Sequence, residues 1–282
     1  MLFYNFILKV LIVINGLGAA SGLVVDKHHV YTISDDKAHL YVYNKKKKEV
    51  DKVDLNPEVK SKHITKKDKP DFEAITKFDN HLYILGSGSK ENRFDLISYN
   101  IKTKEVHNDN YSFLLDEFLK VSNLSKKDFN IEGIITDGHC TYFFNRGNGP
   151  AGINGIYRVG GKINDLRGKS IDFFPITLPK INNETTTFSD AILVDGKVLF
   201  TATVESKSTT QFNGEIKGSI IGELDLAAME VTRWQKISDD KKIEGLALYK
   251  ESGKNYTLYL CEDNDDDSNK ASIYIYKYQK EI

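Results

Sequence analysis

The chain has 282 residues, 39 of them basic and 40 acidic, for a formal net charge of −1. That balance argues against nucleic acid as the main partner, which calls for a basic stripe. The length suits one large domain, and closed all-β architectures often run this long, so residues 1–282 are read as a single domain.

In chain order, residues 1–23 are apolar and carry Ala19-Ala20-Ser21, a stretch resembling a signal-peptidase site. Lys9 interrupts the run, no basic segment precedes it, and the longest uncharged stretch, residues 10–25, is short of the ~20 residues a membrane span needs. The expectation is a cytoplasmic monomer without a membrane span, with export as the alternative if residues 1–20 act as a signal. Residues 6–14 also read as a strand placed before the first repeat.

From Ser21 onward a short phrase recurs: a small or acidic residue, then Gly or Ala, then a branched aliphatic. It appears as Ser21-Gly22-Leu23, Glu73-Ala74-Ile75, Glu132-Gly133-Ile134, Asp190-Ala191-Ile192 and Glu244-Gly245-Leu246, at steps of 52, 59, 58 and 54 residues. Such a period fits a four-stranded propeller blade with its loops. After the phrases at 21, 73, 132 and 190, a tight turn at Asp26, Asp79, Asp137 or Asp195 leads to a β-branched and aromatic run, the hairpin signature. A third alternating segment follows in every copy, and a fourth in copies one to four. The fifth copy has no fourth strand. If residues 6–14 pair there, the ring closes and an exposed edge disappears. The fold class is therefore an all-β, five-bladed β-propeller whose last blade is closed by the N-terminal strand.

Smaller features have plain readings. The basic run at residues 45–48 is a solvated hairpin tip, residues 265–269 form a hydrophilic loop, and Cys140 and Cys261 lie in apolar runs as core residues. Residues 112–124 place Phe113, Leu114, Phe118, Leu119 and Val121 at helix-compatible spacing, with Ser112 able to cap.

The first strand of a blade is innermost, so Ser21, Glu73, Glu132, Asp190 and Glu244 are predicted to face a shared axis. Converging carboxylates cannot all stay ionised without a counter-charge. A hard divalent cation such as Ca2+ takes several oxygen ligands. The bland alternatives are a water-filled polar channel or acids paired with Arg146 and Arg93. The second strands end in polar residues at similar offsets. Asp35, Asp36, Glu205 and Glu262 are candidates to orient water there, and Ser87, Ser89, Lys90, Arg93, Asn145 and Arg146 to bind an anionic ligand.

These inner-strand starts resemble those of the calcium-activated nucleotidases (apyrases), five-bladed propellers with one central calcium. That family's inner strands begin Ser, Glu, Glu, Ser, Glu, and Ser21, Glu73, Glu132 and Glu244 match four of the five. At the fourth the chain reads Ser189-Asp190, where turn spacing favours Asp190 and either residue can face the channel. The stretch from Gly86 to Asn92-Arg93 also resembles an uncharacterised bacterial propeller family. The resemblance implies a calcium-dependent hydrolase acting on a phosphoanhydride, a phosphoester or, with the same ion, a lactone. The rival expectation is a binding or scaffolding propeller with a structural ion.

Overall fold

In the computed structural model, residues 8–56, 69–205, 216–264 and 269–280 are described, and they form five four-stranded antiparallel sheets and one short hairpin. Blade 1 runs outward through Ala20–Val25, His29–Ser34, His39–Asn44 and Glu49–Asp54, and blade 2 through Phe72–Phe78, His81–Gly86, Asp95–Asn100 and Val106–Asn110. Blade 3 comprises Ile131–Thr136, Thr141–Asn145, Gly155–Val159 and Ile171–Pro175; blade 4 comprises Thr187–Val194, Lys197–Glu205, Ile216–Asp225 and Glu230–Ser238. Blade 5 has Ile243–Ser252, Asn255–Glu262 and Lys270–Gln279, and its outer strand is Lys9–Asn15.

The predicted closure is thus present, with Lys9 opposite Ile275 and Asn15 opposite Lys270. Its observed bounds are shifted from the expected 6–14, and residues 6 and 7 lie outside the described residues. Period-two alternation sets its faces: Ile12 and Ile14 are buried, whereas Val10, Leu11 and Val13 are exposed.

The core is divided among the blade interfaces. Five apolar clusters each join one pair of adjacent blades, as where Leu23 and Tyr41 of blade 1 meet Tyr259 and Ile273 of blade 5. The stretch at residues 112–124 packs on the cluster between blades 2 and 3, with Phe118 stacked 4.3 Å from Tyr157. It is a 3-10 turn, Ser112–Leu114, running into a helix, Leu115–Ser122. Ser112 is no cap. The 3-10 start puts it inside the turn, and the Asn110 side chain accepts its amide instead.

Each inner strand carries a bulge near its start, where one residue is skipped in the ladder to the second strand. The skipped residues are Ser21, Glu73, Glu132, Ser189 and Glu244. A bulge re-aims a side chain and is common beside functional sites. The residue after it is Gly, Ala, Gly, Asp and Gly in turn. At Gly245 the reason for a small residue is direct, since a Cβ there would lie 2.2 Å from Cys261 Sγ. Gly245→Ala is therefore expected to cost about 1–3 kcal/mol through overpacking. Adding Cys261→Ala removes the clashing sulfur and should recover part of that loss. Denaturant melts of the two single variants and the double variant check this; strictly additive costs would show that the sulfur is not the cause.

Candidate functional site

The register places three sets of residues around one end of the central channel. The bulge residues are the first. The second lies two positions earlier: Ala19, Asp71, Asn130, Thr187 and Lys242. The third is the matching end of each second strand: Asp35, Ser87, Arg146, Thr203 and Asp263. Backbone hydrogen bonds join the last two sets, from Ser87 N to Asp71 O at 2.9 Å, Arg146 N to Asn130 O at 2.8 Å and Asp263 N to Lys242 O at 3.0 Å. Thr187 stands opposite Thr203 in the ladder. Members of all three sets, with neighbouring loops, line an open cavity of about 480 Å³.

One side of this mouth is organised by Arg146, which is only 5% exposed. Its Nη1 donates to Glu132 Oε1 at 3.2 Å and Glu244 Oε1 at 3.4 Å, its Nη2 to Glu205 Oε2 at 3.2 Å, and its Nε to Thr187 Oγ1 at 3.1 Å. Lys242 adds contacts to Glu244 at 2.9 Å and Asp263 at 2.8 Å. Burial still dominates the acids: it pushes Glu244 up to about 8 despite Lys242 and Arg146, and it raises Glu132 as well.

The other side is organised by Asp71, a buried residue in the left-handed region at φ 57°, which Asp tolerates better than most residues. Its Oδ2 accepts from Arg93 Nη1 at 2.7 Å and Ser87 Oγ at 2.5 Å. Its Oδ1 lies 2.9 Å from Lys69 Nζ, which also donates to Asp35. Burial alone lowers the Lys69 ammonium, but Asp35 and Asp71 outweigh it and hold the group above its ordinary value.

Glu73 sits between the two networks. It is 8% exposed and lines the cavity. Its carboxylate has no hydrogen-bond donor and no ion partner among the described residues. Burial, and then the charges of Glu132, Asp71 and Asp35, push it well above the usual carboxylate range. Carboxylate oxygens of Asp35, Asp71 and Glu73 all lie within 4.8 Å of one another. The mouth brings together the carboxylates of Asp35, Asp71, Glu73, Glu132, Glu205, Glu244 and Asp263, whereas their described ion partners are Lys69, Arg93, Arg146 and Lys242. Lys126 and Lys127 also stand on the cavity lining, so the charges of the mouth nearly balance, and negative charge is least compensated at Glu73.

Of the residues singled out in the sequence, Asp35, Glu73, Ser89, Arg93, Glu132, Arg146 and Glu205 line the cavity. Glu244 is held beneath Arg146, and Ser87 is buried against Asp71. The remainder stand outside the cavity lining. In blade 4 the bulge falls on Ser189, whose hydroxyl bonds to Ile243 O at 2.7 Å. Asp190 takes the following position, and its two oxygens accept the amides of Ala191 and Leu246, both at 2.7 Å. That leaves it as a clamp between the inner strands of blades 4 and 5. Ser21 is buried, and its hydroxyl has no partner among the described residues.

Asp36, Lys90, Asn145 and Glu262 lie outside the cavity lining. Asp36 accepts from Ser34 Oγ, Glu262 pairs with Lys241 and Tyr274, and Lys90 is exposed. Asn145 is buried, bonding Asp128 O at 3.1 Å and Asn130 N at 2.9 Å. At Asn145 and Glu262 the alternation at a strand end decides the outcome: the next residues, Arg146 and Asp263, reach the mouth, while Asp35 and Asp36 both follow the strand His29–Ser34 and only Asp35 reaches it. Lys69, Asp71, Lys242 and Asp263 were not foreseen. The readable signal for two of them was position, two residues ahead of each inner-strand acid.

The fold and this mouth define a five-bladed β-propeller with a charged cavity at one end of its channel. The chain belongs to a family of unknown function, DUF6929, matched over residues 16–277. That family gives no support to the nucleotidase resemblance. No functionally curated protein matches. Among solved structures, the chain is similar to Myxococcus xanthus glutaminyl cyclase at 10% identity and a TM-score of 0.53, covering 96% of this chain and 97% of that one. A streptogramin B lyase structure is matched at 10% identity and a TM-score of 0.44, over 98% and 89% of the two chains. The Neurospora crassa Pan2 WD40 domain is matched at 8% identity and a TM-score of 0.46, over 100% and 98%. Identities this low speak to fold alone. Among the described residues, no helix is long and apolar enough to cross a membrane.

Proposed function

We propose that this propeller binds a divalent cation, calcium in the first instance, at Asp35, Asp71 and Glu73, and holds an anionic small molecule beside it for hydrolysis. The observation that carries the reading is Glu73, a buried carboxylate without a partner among the described residues, grouped with two further carboxylates over an open polar cavity. The donor set is all oxygen, which suits a hard cation and not a soft one. The bulge series Ser21, Glu73, Glu132, Ser189 and Glu244 has the residue types of the calcium-activated nucleotidase pattern, but only Glu73 of that series belongs to this seat, Glu132 and Glu244 being taken by Arg146.

A bound calcium ion supplies Lewis-acid polarisation of an anionic oxygen. The chain's own groups do the rest. Arg93 and Ser87 hold Asp71 in place, and Lys127 and Asn148 on the cavity rim can meet the anionic group. Glu205 is the most solvent-accessible acid of the Arg146 cluster, its side chain 33% exposed against 4% for Glu132 and Glu244. It is therefore the acid best placed to orient a water. Phosphoesters, phosphoanhydrides and lactones are the substrate classes to screen, with calcium and with chelator. A second reading, a non-enzymatic ligand-binding or scaffolding propeller with a structural ion, is favoured by the pairing of Arg146, which ties blades 3, 4 and 5 together at the mouth.

Calcium at about 100 times its Kd is expected to stabilise the protein by about 2.7 kcal/mol, a rise in Tm of roughly 5–10 °C for a chain somewhat above 250 residues. Glu73→Gln keeps the volume and removes the charge, so it should abolish most of that rise. A wild-type melting curve unmoved by calcium and by chelator would sink the site.

A further inference from the structure

The cation seat already holds a positive group. Carboxylate oxygens of Asp35, Asp71 and Glu73 lie within 4.8 Å of one another, and Lys69 Nζ bonds two of those side chains, Asp35 Oδ2 and Asp71 Oδ1. The opposite oxygen of Asp71 is held by Arg93 Nη1, Ser87 Oγ and Ser89 Oγ. The edge that Lys69 occupies is therefore the edge open to exchange. One ammonium satisfies two carboxylates and leaves the third over, and the third is Glu73, nine-tenths buried and facing the cavity without a partner among the described residues. A divalent cation matches three carboxylates better than an ammonium does, and it cannot share Asp35 and Asp71 with Lys69 at contact distance without strong like-charge repulsion.

We propose that Lys69 is a built-in occupant of the cation seat, that a divalent cation enters by displacing its ammonium, and that the released ammonium then serves the anionic ligand. This rests on the cation-binding reading above and adds the order of events. The cation comes first and leaves an unpaired ammonium at the cavity, so cation and anion bind with positive coupling. By linkage the coupling is reciprocal, each tightening the other by the same factor. Lys69 is thus a competitor for the cation and a determinant of anion binding in one side chain, which a plain structural ion pair is not.

The test is calorimetric titration of calcium into wild type, Lys69→Met and Lys69→Gln, each with sodium chloride and with sodium sulfate at matched ionic strength. Removing the competitor is expected to tighten calcium about tenfold, equivalent to about 1.4 kcal/mol. Sulfate should tighten calcium in wild type and have no effect in the variants. If wild type binds calcium and both variants bind it equally or more weakly, the proposal is overturned while the cation site stands. If neither wild type nor the variants bind calcium, the site itself falls and the proposal with it. Wild-type protein alone supplies a second measurement should the variants fold poorly. Reductive methylation read by mass spectrometry should show Lys69 protected without calcium and reactive at saturating calcium, and unchanged labelling under bound calcium overturns the displacement.

Discussion

Arg146→Ala is expected to lower the stability of the protein by about 3–5 kcal/mol, the cost of leaving buried charges without their partner. The guanidinium meets carboxylates from three blades, Glu132 of blade 3, Glu205 of blade 4 and Glu244 of blade 5. Glu132 and Glu244 are each only 3% exposed and have little access to water in its place. Lys242 still covers Glu244, so the loss falls most heavily on Glu132. A pH dependence follows. Burial already holds Glu132 and Glu244 above the ordinary value with Arg146 present, and its removal raises them further. A carboxyl with a raised folded pKa binds protons more tightly in the native state, so its destabilising effect is full at high pH. That effect fades as pH falls through the raised value towards the ordinary value of about 4.5. The deficit of Arg146→Ala against wild type should therefore be larger at pH 8 than at pH 5, which urea melts at the two pH values measure. A deficit below about 1 kcal/mol at both would show that solvent reaches these acids. With its guanidinium shared among Glu132, Glu205, Glu244 and Thr187, Arg146 holds the mouth together.

Deleting residues 1–15 should be at least as damaging. The deletion removes the outer strand of blade 5, with the ladder from Lys9 opposite Ile275 to Asn15 opposite Lys270. It also removes Ile12 and Ile14 from the cluster shared with blade 1. Each buried isoleucine contributes roughly 1.5–3 kcal/mol, and the ladder adds to that, so the sum approaches the whole of a marginal stability of about 5–15 kcal/mol. The strand Lys270–Gln279 becomes an exposed edge carrying Ile273, Tyr274 and Tyr276, an aggregation template. Insoluble expression or a collapsed melting transition is the expected result. Grafting residues 8–16 by a short linker after residue 280 should restore solubility, because pairing and not chain order closes the ring. A soluble truncation with a wild-type melting curve would mean that the strand is dispensable.

The ring was legible because its signals are local and repeated. A phrase at blade spacing, tight turns at Asp26, Asp79, Asp137 and Asp195, and a missing fourth strand in the last copy are all visible in a string of letters, and the strand pairing reproduces them. The gathering of these polar residues at one mouth was legible for the same reason, since repeats place equivalent residues at one height. Single-residue placement was not. The choice between Ser189 and Asp190 depends on where a bulge skips the ladder, and that between Glu262 and Asp263 depends on which side of a pleat faces the axis. A slip of one residue reverses each of them.

The sequence by itself determined that this is a closed ring of five sheets with acids gathered at one mouth, because hydrophobic period and turn chemistry act over a few residues and recur. Only the tertiary structure decided which acids are compensated and which is open. Arg146 reaches Glu244 across 98 positions of chain, and Lys69 reaches Asp35 across 34. Pairings at that range depend on where the blades stand relative to one another, which no local pattern encodes. Glu132, Glu73 and Glu244 open their repeats in the same way, yet their neighbours in space leave Glu73 alone without a described partner.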